Sequence, residues 1–124
     1  YAQAPSGGPL VQHSLITMLE FVKKGKISLE KLVQKMMHNP ATLFKIEKRG
    51  FVKEGYFADL ALVDLNSEPW MVNKDNVLYQ CGWSPLEGVN FTSKVVTTVL
   101  NGAVVMENGV ISETRHGARL LFNR

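Results

Sequence analysis

The stretch Ala58-Asp59-Leu60-Ala61-Leu62-Val63-Asp64 is the first strand signal after the helical part of the chain. It is a short apolar run with turn residues before it and polar residues after it, so it predicts a strand. The residues before Gly50 have helical periodicity, whereas those after it are rich in strand and turn signals. We therefore divide the chain into a helical part, residues 1–50, and a strand-rich part, residues 51–124.

Three helices are predicted in the first part. The first has Pro9 in its first turn and ends at Lys23-Lys24-Gly25, because proline suits a helix start and glycine a helix end. The second is capped by Ser28, and Asn39-Pro40 ends it and begins a third, with Asn39 as the cap. The apolar stripes comprise Val11, Leu15, Met18, Leu19 and Val22, then Leu29, Leu32, Val33, Met36 and Met37, then Leu43, Phe44 and Ile46.

Two hairpins are predicted in the second part. A run rich in valine and threonine, Lys94–Leu100, is followed at once by Asn101-Gly102, and Asn-Gly between strands is the strongest short hairpin signal. A return strand over 103–106 leads to a second such turn, Asn108-Gly109. Residues 67–91 hold both tryptophans, Cys81 and two prolines, and are predicted to form a long, partly ordered loop.

Composition excludes several classes of protein. Of 124 residues, 45% are hydrophobic and 20% charged, which is typical of a globular chain and not of a disordered one. No apolar run approaches the roughly 20 residues of a membrane-spanning helix. The net charge of +3 comes from scattered basic residues, so neither nucleic acid nor a membrane is expected as a partner.

The cysteine count bears on the cellular compartment. The first residues bear on whether the chain is complete. A single cysteine, Cys81, excludes an intramolecular disulfide and favours a reducing, cytoplasmic setting. The opening residues lack the pattern of a secretory signal. Because the chain starts without methionine, we expect it to be a fragment of a longer protein or a processed product.

Residues of catalytic type are scattered along the sequence. His13, His38 and His116 are isolated, with no zinc-binding spacing between them. We expect His13 to be a surface or hydrogen-bonded histidine, with metal ligation as the alternative, and His38 to be a cation at a helix end. Cys81 could be a nucleophile, but a packed thiol is the expected state.

Two aspartates flank the predicted strand. Asp59 and Asp64 could pair as acid and base, but five residues apart they point to opposite faces of a straight strand. We therefore expect the Asp59 carboxylate to bond backbone amides in the turn, so that Asp59→Asn lowers stability more than turnover.

The segment Ala4-Pro5-Ser6-Gly7-Gly8-Pro9 is the one element with the character of a binding site. Small residues let a backbone approach a ligand closely, and N–H groups at a helix N-terminus attract anions. It is either a carboxylate or phosphate cradle or a plain helix-entry loop. It is not a P-loop, because no Gly-Lys-Ser/Thr follows.

Four stretches together resemble the C-terminal part of a dihydroorotase, in the cyclic-amidohydrolase branch of the amidohydrolase superfamily. The residues that carry the resemblance are Ala4 to Leu15, with Ser-Gly-Gly-Pro-Leu-Val-Gln-His; Lys26 to Val33 with Asn39-Pro40-Ala41; Gly55 to Asp64, with Ala-Asp-Leu; and Cys81-Gly-Trp-Ser-Pro-Leu-Glu-Gly88 with Val95 to Gly109. Asn-Pro-Ala and Ala-Asp-Leu are shared widely among amidohydrolases. The first and last stretches favour dihydroorotase over hydantoinase or allantoinase.

The resemblance implies a fold and an activity. The fold is that of an α/β parent, here as a fragment: residues 1–50 are the last helical part of a TIM (β/α)8 barrel, and residues 51–124 are the C-terminal strands of a small composite β-sandwich. The activity is zinc-dependent, reversible hydrolysis of the cyclic amide of dihydroorotate to carbamoyl aspartate, in pyrimidine biosynthesis. The alternatives are a non-catalytic scaffold or partner-binding remnant, and a sister cyclic amidohydrolase such as an allantoinase or hydantoinase.

The resemblance also implies where the functional residues lie. The family's zinc ligands and catalytic aspartate have no counterpart in this sequence, so we expect the 124 residues alone to hold no zinc and to be inactive. Only Ser6, Gly7, Gly8 and Pro9 match a family position that contacts substrate through backbone groups.

A chain of this kind needs cover for its apolar surface, from the rest of the enzyme or another copy. We therefore expect the helical side chains to be more exposed than the hairpin core. The helical set is Leu15, Met18, Leu19, Leu32, Met36 and Met37, and the hairpin set is Val95, Val99, Val104 and Val105.

Overall fold

The helices occupy the first third of the chain, as the sequence predicts. The computed structural model describes residues 7–123, and within them helix α1 spans Ser14–Lys23. Helix α2 spans Leu29–Val33 and helix α3 spans Asn39–Leu43, with a π-helical turn, Gln34–His38, between them. Ser28 caps α2 as predicted, since its hydroxyl oxygen accepts a hydrogen bond of 3.2 Å from the Lys31 N–H.

Helix α1 begins later than its proline suggests. The Leu10 carbonyl accepts hydrogen bonds from the N–H groups of His13 and Ser14, at 3.0 and 2.8 Å, so a turn precedes the helix. The prediction of Pro9 in the first helical turn is therefore wrong. Because the turn also sets the rotation of the helix, Ile16 faces the core while Val11 is 90% exposed.

The second and third helices form one continuous rod. Asn39 has helical dihedral angles, φ −64° and ψ −45°, so it caps nothing and the predicted break at Asn39-Pro40 is wrong. A proline inside a helix lacks an N–H and clashes with the carbonyl four residues earlier. The π-helical turn just before Pro40 widens the helix there, which lets the proline fit without a break. The predicted apolar face of α3 is not covered within the described residues, since Leu43 and Phe44 are exposed.

The second part of the chain forms two antiparallel sheets. The larger has the order β1-β4-β5-β6, from Leu60–Asp64, Lys94–Leu100, Ala103–Glu107 and Val110–Ile111. Asn101 and Gly102 have φ of 51° and 82°, the positive values that a type I′ turn requires, and they join β4 to β5 as predicted. Asn108 and Gly109 likewise join β5 to β6.

The segment predicted as a long loop carries the second sheet and much of the core. Strands β2, Trp70–Met71, and β3, Asn90–Phe91, pair within it. Val72 and Phe91 are fully buried against Ile16 of α1 and form one cluster with it. The loop is therefore an ordered layer against α1, which alternation over two-residue strands is too short to predict.

The helices are better covered than the hairpins, contrary to expectation. Leu19 and Leu32 are each 1% exposed, whereas Val104 is 52% exposed. The reason is that α1 packs on α2 and on β3, while no described element covers Val104 on the sheet. Six hydrophobic residues of the described part are buried and 21 large ones are exposed, so the expected exposed apolar surface exists but lies mainly outside the helices. None of the described helices has the length and apolar character needed to cross a bilayer.

Candidate functional site

The glycine loop before α1 is open on one side and supported on the other. Ser6 lies outside the described residues, whereas Gly7 and Gly8 are described and exposed. Gly7 has φ of 87°, and a Cβ at this position would meet nothing within 4 Å. A Cβ at Gly8 would lie 3.9 Å from Cγ of Pro85, which belongs to the Cys-Gly-Trp-Ser-Pro stretch. The loop backbone is therefore accessible to a small molecule at Gly7, while Pro85 lies near it at Gly8.

Gln12 ties the residues just after this loop to a distant part of the chain. Its backbone N–H donates to the Tyr79 hydroxyl at 2.8 Å. Its side-chain amide donates to the Asn76 carbonyl at 2.7 Å and accepts from the Leu78 N–H at 2.9 Å. Both ends of one amide are thus used on a single loop, residues 76–78, which fixes the position of Gln12 closely.

His13 is completely buried beside this tether. Its Nδ1 lies 3.4 Å from the Tyr79 hydroxyl and 3.4 Å from the Ser84 hydroxyl. Its ring stacks on Phe91, with centroids 6.5 Å apart and planes 6° apart, and Trp70 lies on another side. We predicted either a surface histidine or a hydrogen-bonded one. The second alternative is confirmed, since the buried ring lies within hydrogen-bonding distance of two hydroxyl groups.

The surroundings of His13 favour its neutral form. Nε2 is buried with no hydrogen-bond partner among the described residues. A proton on Nε2 would leave a buried N–H without an acceptor, whereas a bare nitrogen lone pair at that place costs less. Burial accordingly lowers the pKa of His13 below its usual 6.5. Near neutral pH the ring therefore carries its proton on Nδ1, which can donate to Tyr79 or Ser84.

Asp59 has the structural role that the sequence predicts, with an additional partner. Its carboxylate accepts a hydrogen bond of 2.8 Å from the Asn101 N–H, so the predicted bond to a backbone amide is confirmed. It also forms an ion pair with Arg49, which is only 9% exposed. Arg49 in turn donates to the Asn101 side-chain oxygen at 2.7 Å and lies 4.3 Å from the centre of the Phe57 ring. The cluster joins the end of the helical part to the first hairpin turn.

The remaining candidates for catalysis are not brought together. The Asp64 carboxylate accepts a hydrogen bond from the Asn66 N–H at 2.9 Å and is exposed, so the two aspartates have separate partners. Cys81 is exposed, which makes the prediction of a packed thiol wrong. The reason is that Cys81 lies in the outer turn of the loop that holds Ser84, beside the half-exposed Trp83.

His13 and His38 occupy separate places. His13 is in the aromatic cluster, and His38 stacks on Phe51 with centroids 4.3 Å apart. His38 lies inside the continuous helical rod, so the prediction of a cation at a helix end is wrong. Within residues 7–123, no group of three or more histidine, cysteine, aspartate or glutamate side chains lies close enough to hold a metal ion. The described residues do not fit a zinc site, since the one buried imidazole faces two hydroxyl groups and aromatic rings.

Sequence reasoning missed several residues that shape this region. Gln12 bonds to Leu78, and His13 lies within hydrogen-bonding distance of Tyr79 and Ser84. These contacts span 66 to 71 positions of sequence, and no local pattern marks them. Glu20 was missed too. Its carboxylate accepts from the Thr92 N–H at 2.9 Å and from the Ser93 hydroxyl at 3.2 Å. Burial raises the pKa of Glu20, but these bonds, the nearby Lys23 and the Thr92 hydroxyl outweigh it, so the pKa lies below 4.5.

Comparison with known proteins places the chain in a family. Residues 8–105 match the amidohydrolase family. That match covers well over half of the chain, so the chain belongs to the amidohydrolase family. The likeness to solved structures agrees with this: an L-hydantoinase (dihydropyrimidinase) from Arthrobacter aurescens superposes with a TM-score of 0.78 at 34% identity, covering 88% of this chain and 24% of that one.

The sequence is also similar to dihydroorotases. It is 38% identical over 116 residues to the dihydroorotase of Pyrococcus furiosus, covering 94% of this chain and 28% of that protein. The dihydroorotase of Pyrococcus horikoshii is 37% identical over 116 residues, covering 94% and 27%. The predicted resemblance to part of a dihydroorotase is therefore confirmed. The chain spans little more than a quarter of the length of these curated relatives.

Proposed function

We propose that this chain is the C-terminal part of a dihydroorotase. The whole enzyme would reversibly hydrolyse the cyclic amide of dihydroorotate to carbamoyl aspartate, in pyrimidine biosynthesis in the cytoplasm. The observation that carries the proposal is the 38% identity to a dihydroorotase over 94% of the chain. Geometry adds support, because the two stretches most typical of that enzyme, around Gln12 and around Ser84, contact each other.

Within this proposal, the loop Ser6, Gly7, Gly8 and Pro9 contacts the substrate through backbone groups. Support comes from the open space at Gly7 and from the exposure of Gly7 and Gly8. Backbone N–H groups suit the carboxylate of dihydroorotate, since a hydrogen bond to an ionised acceptor is stronger than one to a neutral acceptor.

The proposed architecture assigns residues 1–50 to the last helices of a TIM barrel and residues 51–124 to a composite β-sandwich. The zinc of the whole enzyme would be held by residues outside this chain, since the described residues do not fit it. The partners are then the substrate and the rest of the enzyme chain or another copy. Neither a nucleic acid nor a membrane is part of the proposal.

A hydantoinase is the second candidate. The solved L-hydantoinase is 34% identical to the chain, and it shares the fold. The two candidates differ in substrate, because dihydroorotate is a six-membered ring that carries a carboxylate, whereas a simple hydantoin is a five-membered ring without one. Comparing kcat/KM for the two substrates therefore separates them.

The test uses the full-length protein that contains this chain, loaded with zinc. We expect turnover of dihydroorotate in both directions, with kcat/KM well above that for a hydantoin. Gly7→Val is expected to raise KM or abolish activity, because its side chain enters the open space, while Ser6→Ala stays near wild type. Gly55→Val is the matched control, since Gly55 also has a positive φ, 75°, and open space.

Each contrary result has a definite meaning. Preference for the hydantoin would replace the proposal by its second candidate. Absence of both activities in the zinc-loaded protein would favour the non-catalytic alternative. Wild-type kinetics in Gly7→Val would mean that the loop is only an entry to the helix.

A further inference from the structure

Gln12, which follows the glycine loop, is held in place by hydrogen bonds to a distant part of the chain. Three hydrogen bonds, of 2.7 to 2.9 Å, join Gln12 to Tyr79, Asn76 and Leu78. They begin three residues after Pro9, and a Cβ added at Gly8 would come within 3.9 Å of Pro85 in the same distant segment, so this segment passes close to the loop. The far segment thus supports the turn after the glycine loop and lies close to the loop itself.

The Tyr79 side chain contacts both Gln12 and His13. Its hydroxyl accepts the Gln12 N–H at 2.8 Å and lies 3.4 Å from His13 Nδ1. One phenolic oxygen therefore contacts two consecutive residues of the turn that leads from the loop into α1. Deleting this oxygen removes both contacts and leaves the packing of the ring in place.

Burying the His13 ring in the aromatic cluster lowers the stability of the fold, and the need to fill space does not explain why a polar residue stands there. His13 is completely buried among Trp70, Phe91 and Tyr79, and its Nε2 has no partner within the described residues. An apolar residue of similar size would fill the place without a buried polar atom left unsatisfied. Local choices that lower stability are expected mainly at functional sites.

We propose that Tyr79 is a positioning residue for the Gly7–Pro9 loop. With His13 and Gln12, it fixes the start of α1 and so holds the loop backbone in place before substrate arrives. Ordering a loop in advance removes a cost that binding would otherwise bear, so the effect appears in substrate affinity. The inference rests on the proposed contact between this loop and substrate.

The test compares Tyr79→Phe with Tyr56→Phe in the full-length protein. Both variants lose one phenolic oxygen, but the Tyr56 ring lies against Phe51 and Lys53, away from the loop. Amide hydrogen exchange, followed by mass spectrometry, reports on the peptide over residues 7–12. We expect exchange there to accelerate about fivefold or more in Tyr79→Phe, and to be unchanged in Tyr56→Phe.

Kinetics supply a second readout that general destabilisation would not give. We expect Tyr79→Phe to raise the KM for dihydroorotate about three- to tenfold while kcat stays within about twofold, since the loop binds substrate and transition state alike. A fall in kcat at unchanged KM would overturn the positioning role, as would exchange of the 7–12 peptide at the wild-type rate.

Two further comparisons allow a decision if the variant does not fold or if the wild-type protein is inactive. If Tyr79→Phe does not fold, Gln12→Met keeps side-chain length and removes the two hydrogen bonds of the side-chain amide to Asn76 and Leu78. It tests the Gln12 part of the same support: faster exchange of the loop peptide supports the proposal and unchanged exchange overturns it. If wild-type protein turns over neither dihydroorotate nor a hydantoin, the proposed function fails, and the exchange comparison alone still decides whether Tyr79 orders the loop.

Discussion

The substitution Asp59→Asn tests the cluster that joins the helical part to the hairpins. It keeps the shape of the side chain and removes its charge, which leaves the Arg49 guanidinium, only 9% exposed, without its counter-ion. Breaking a fully buried ion pair costs about 3–5 kcal/mol. The Asp59 side chain is 27% exposed, so water offsets part of this loss. The amide oxygen can still accept from the Asn101 N–H, and we therefore expect a loss of about 1.5–3 kcal/mol.

Thermal unfolding of the full-length protein is the assay, with kcat measured on the folded fraction. One kcal/mol shifts Tm by about 2–4 °C in a domain of 150–250 residues and by less in a larger protein, so we expect a fall of at most roughly 3–12 °C with kcat little changed. Asp64→Asn is the matched control, because Asp64 ends the same strand but is exposed and accepts one local hydrogen bond. Its Tm should stay within about 1–2 °C of wild type. A large loss of kcat in Asp59→Asn at an unchanged Tm would show that the carboxylate acts in the chemistry instead.

Two further substitutions test the packing and the charge of the helical part. Gly50→Ala is expected to destabilise strongly, because its Cβ would lie 2.4 Å from the Ala41 Cβ at a φ of 78°, and a Tm equal to that of wild type would contradict this close approach. Glu20 has its pKa lowered in the folded state, so its stabilising effect is complete above about pH 4.5 and is lost as the pH falls through the folded pKa. We therefore expect the Tm difference between wild type and Glu20→Gln to shrink as the pH is lowered from about 6 to about 3, and a difference that grows would refute the assignment.

The hairpins could be predicted from sequence because their signal is local. Asn101-Gly102 and Asn108-Gly109 need positive φ at consecutive residues, which these residue types tolerate, so the turn is decided within two positions. The cap at Ser28 is local in the same sense, since its hydroxyl bonds an N–H three residues later. Rules of this range depend little on the rest of the fold.

Features decided by distant contacts could not be predicted. The π-helical turn before Pro40 keeps a helix intact where local rules end it, because the wider turn makes room for the proline ring. The burial of Val72 and Phe91 depends on Ile16, more than 50 residues earlier. Strands of two residues carry too little alternation to reveal such a layer.

Within the candidate site, only the glycines carry a signal in the sequence. Small residues before a helix suggest an accessible backbone, and the structure gives Gly7 the expected open space. The support behind that loop comes from Gln12 and Tyr79, which lie 67 positions apart. Glutamine and tyrosine are common in any loop, so their types carry no signal until the fold brings them together.

The chain exposes more surface than a folded protein of its mass, so part of its apolar surface is left without cover. The chain exposes 9284 Å², whereas a folded protein of 13.8 kDa exposes about 6,600 Å², an excess of about 2,700 Å². Each partner in a standard protein interface contributes only about 800 Å². The helices pack on one another and on the second sheet, so they need less cover from outside. The larger sheet has exposed apolar residues at Leu62 and Val104, and the proposed remainder of the enzyme would have to bury this surface to complete its core.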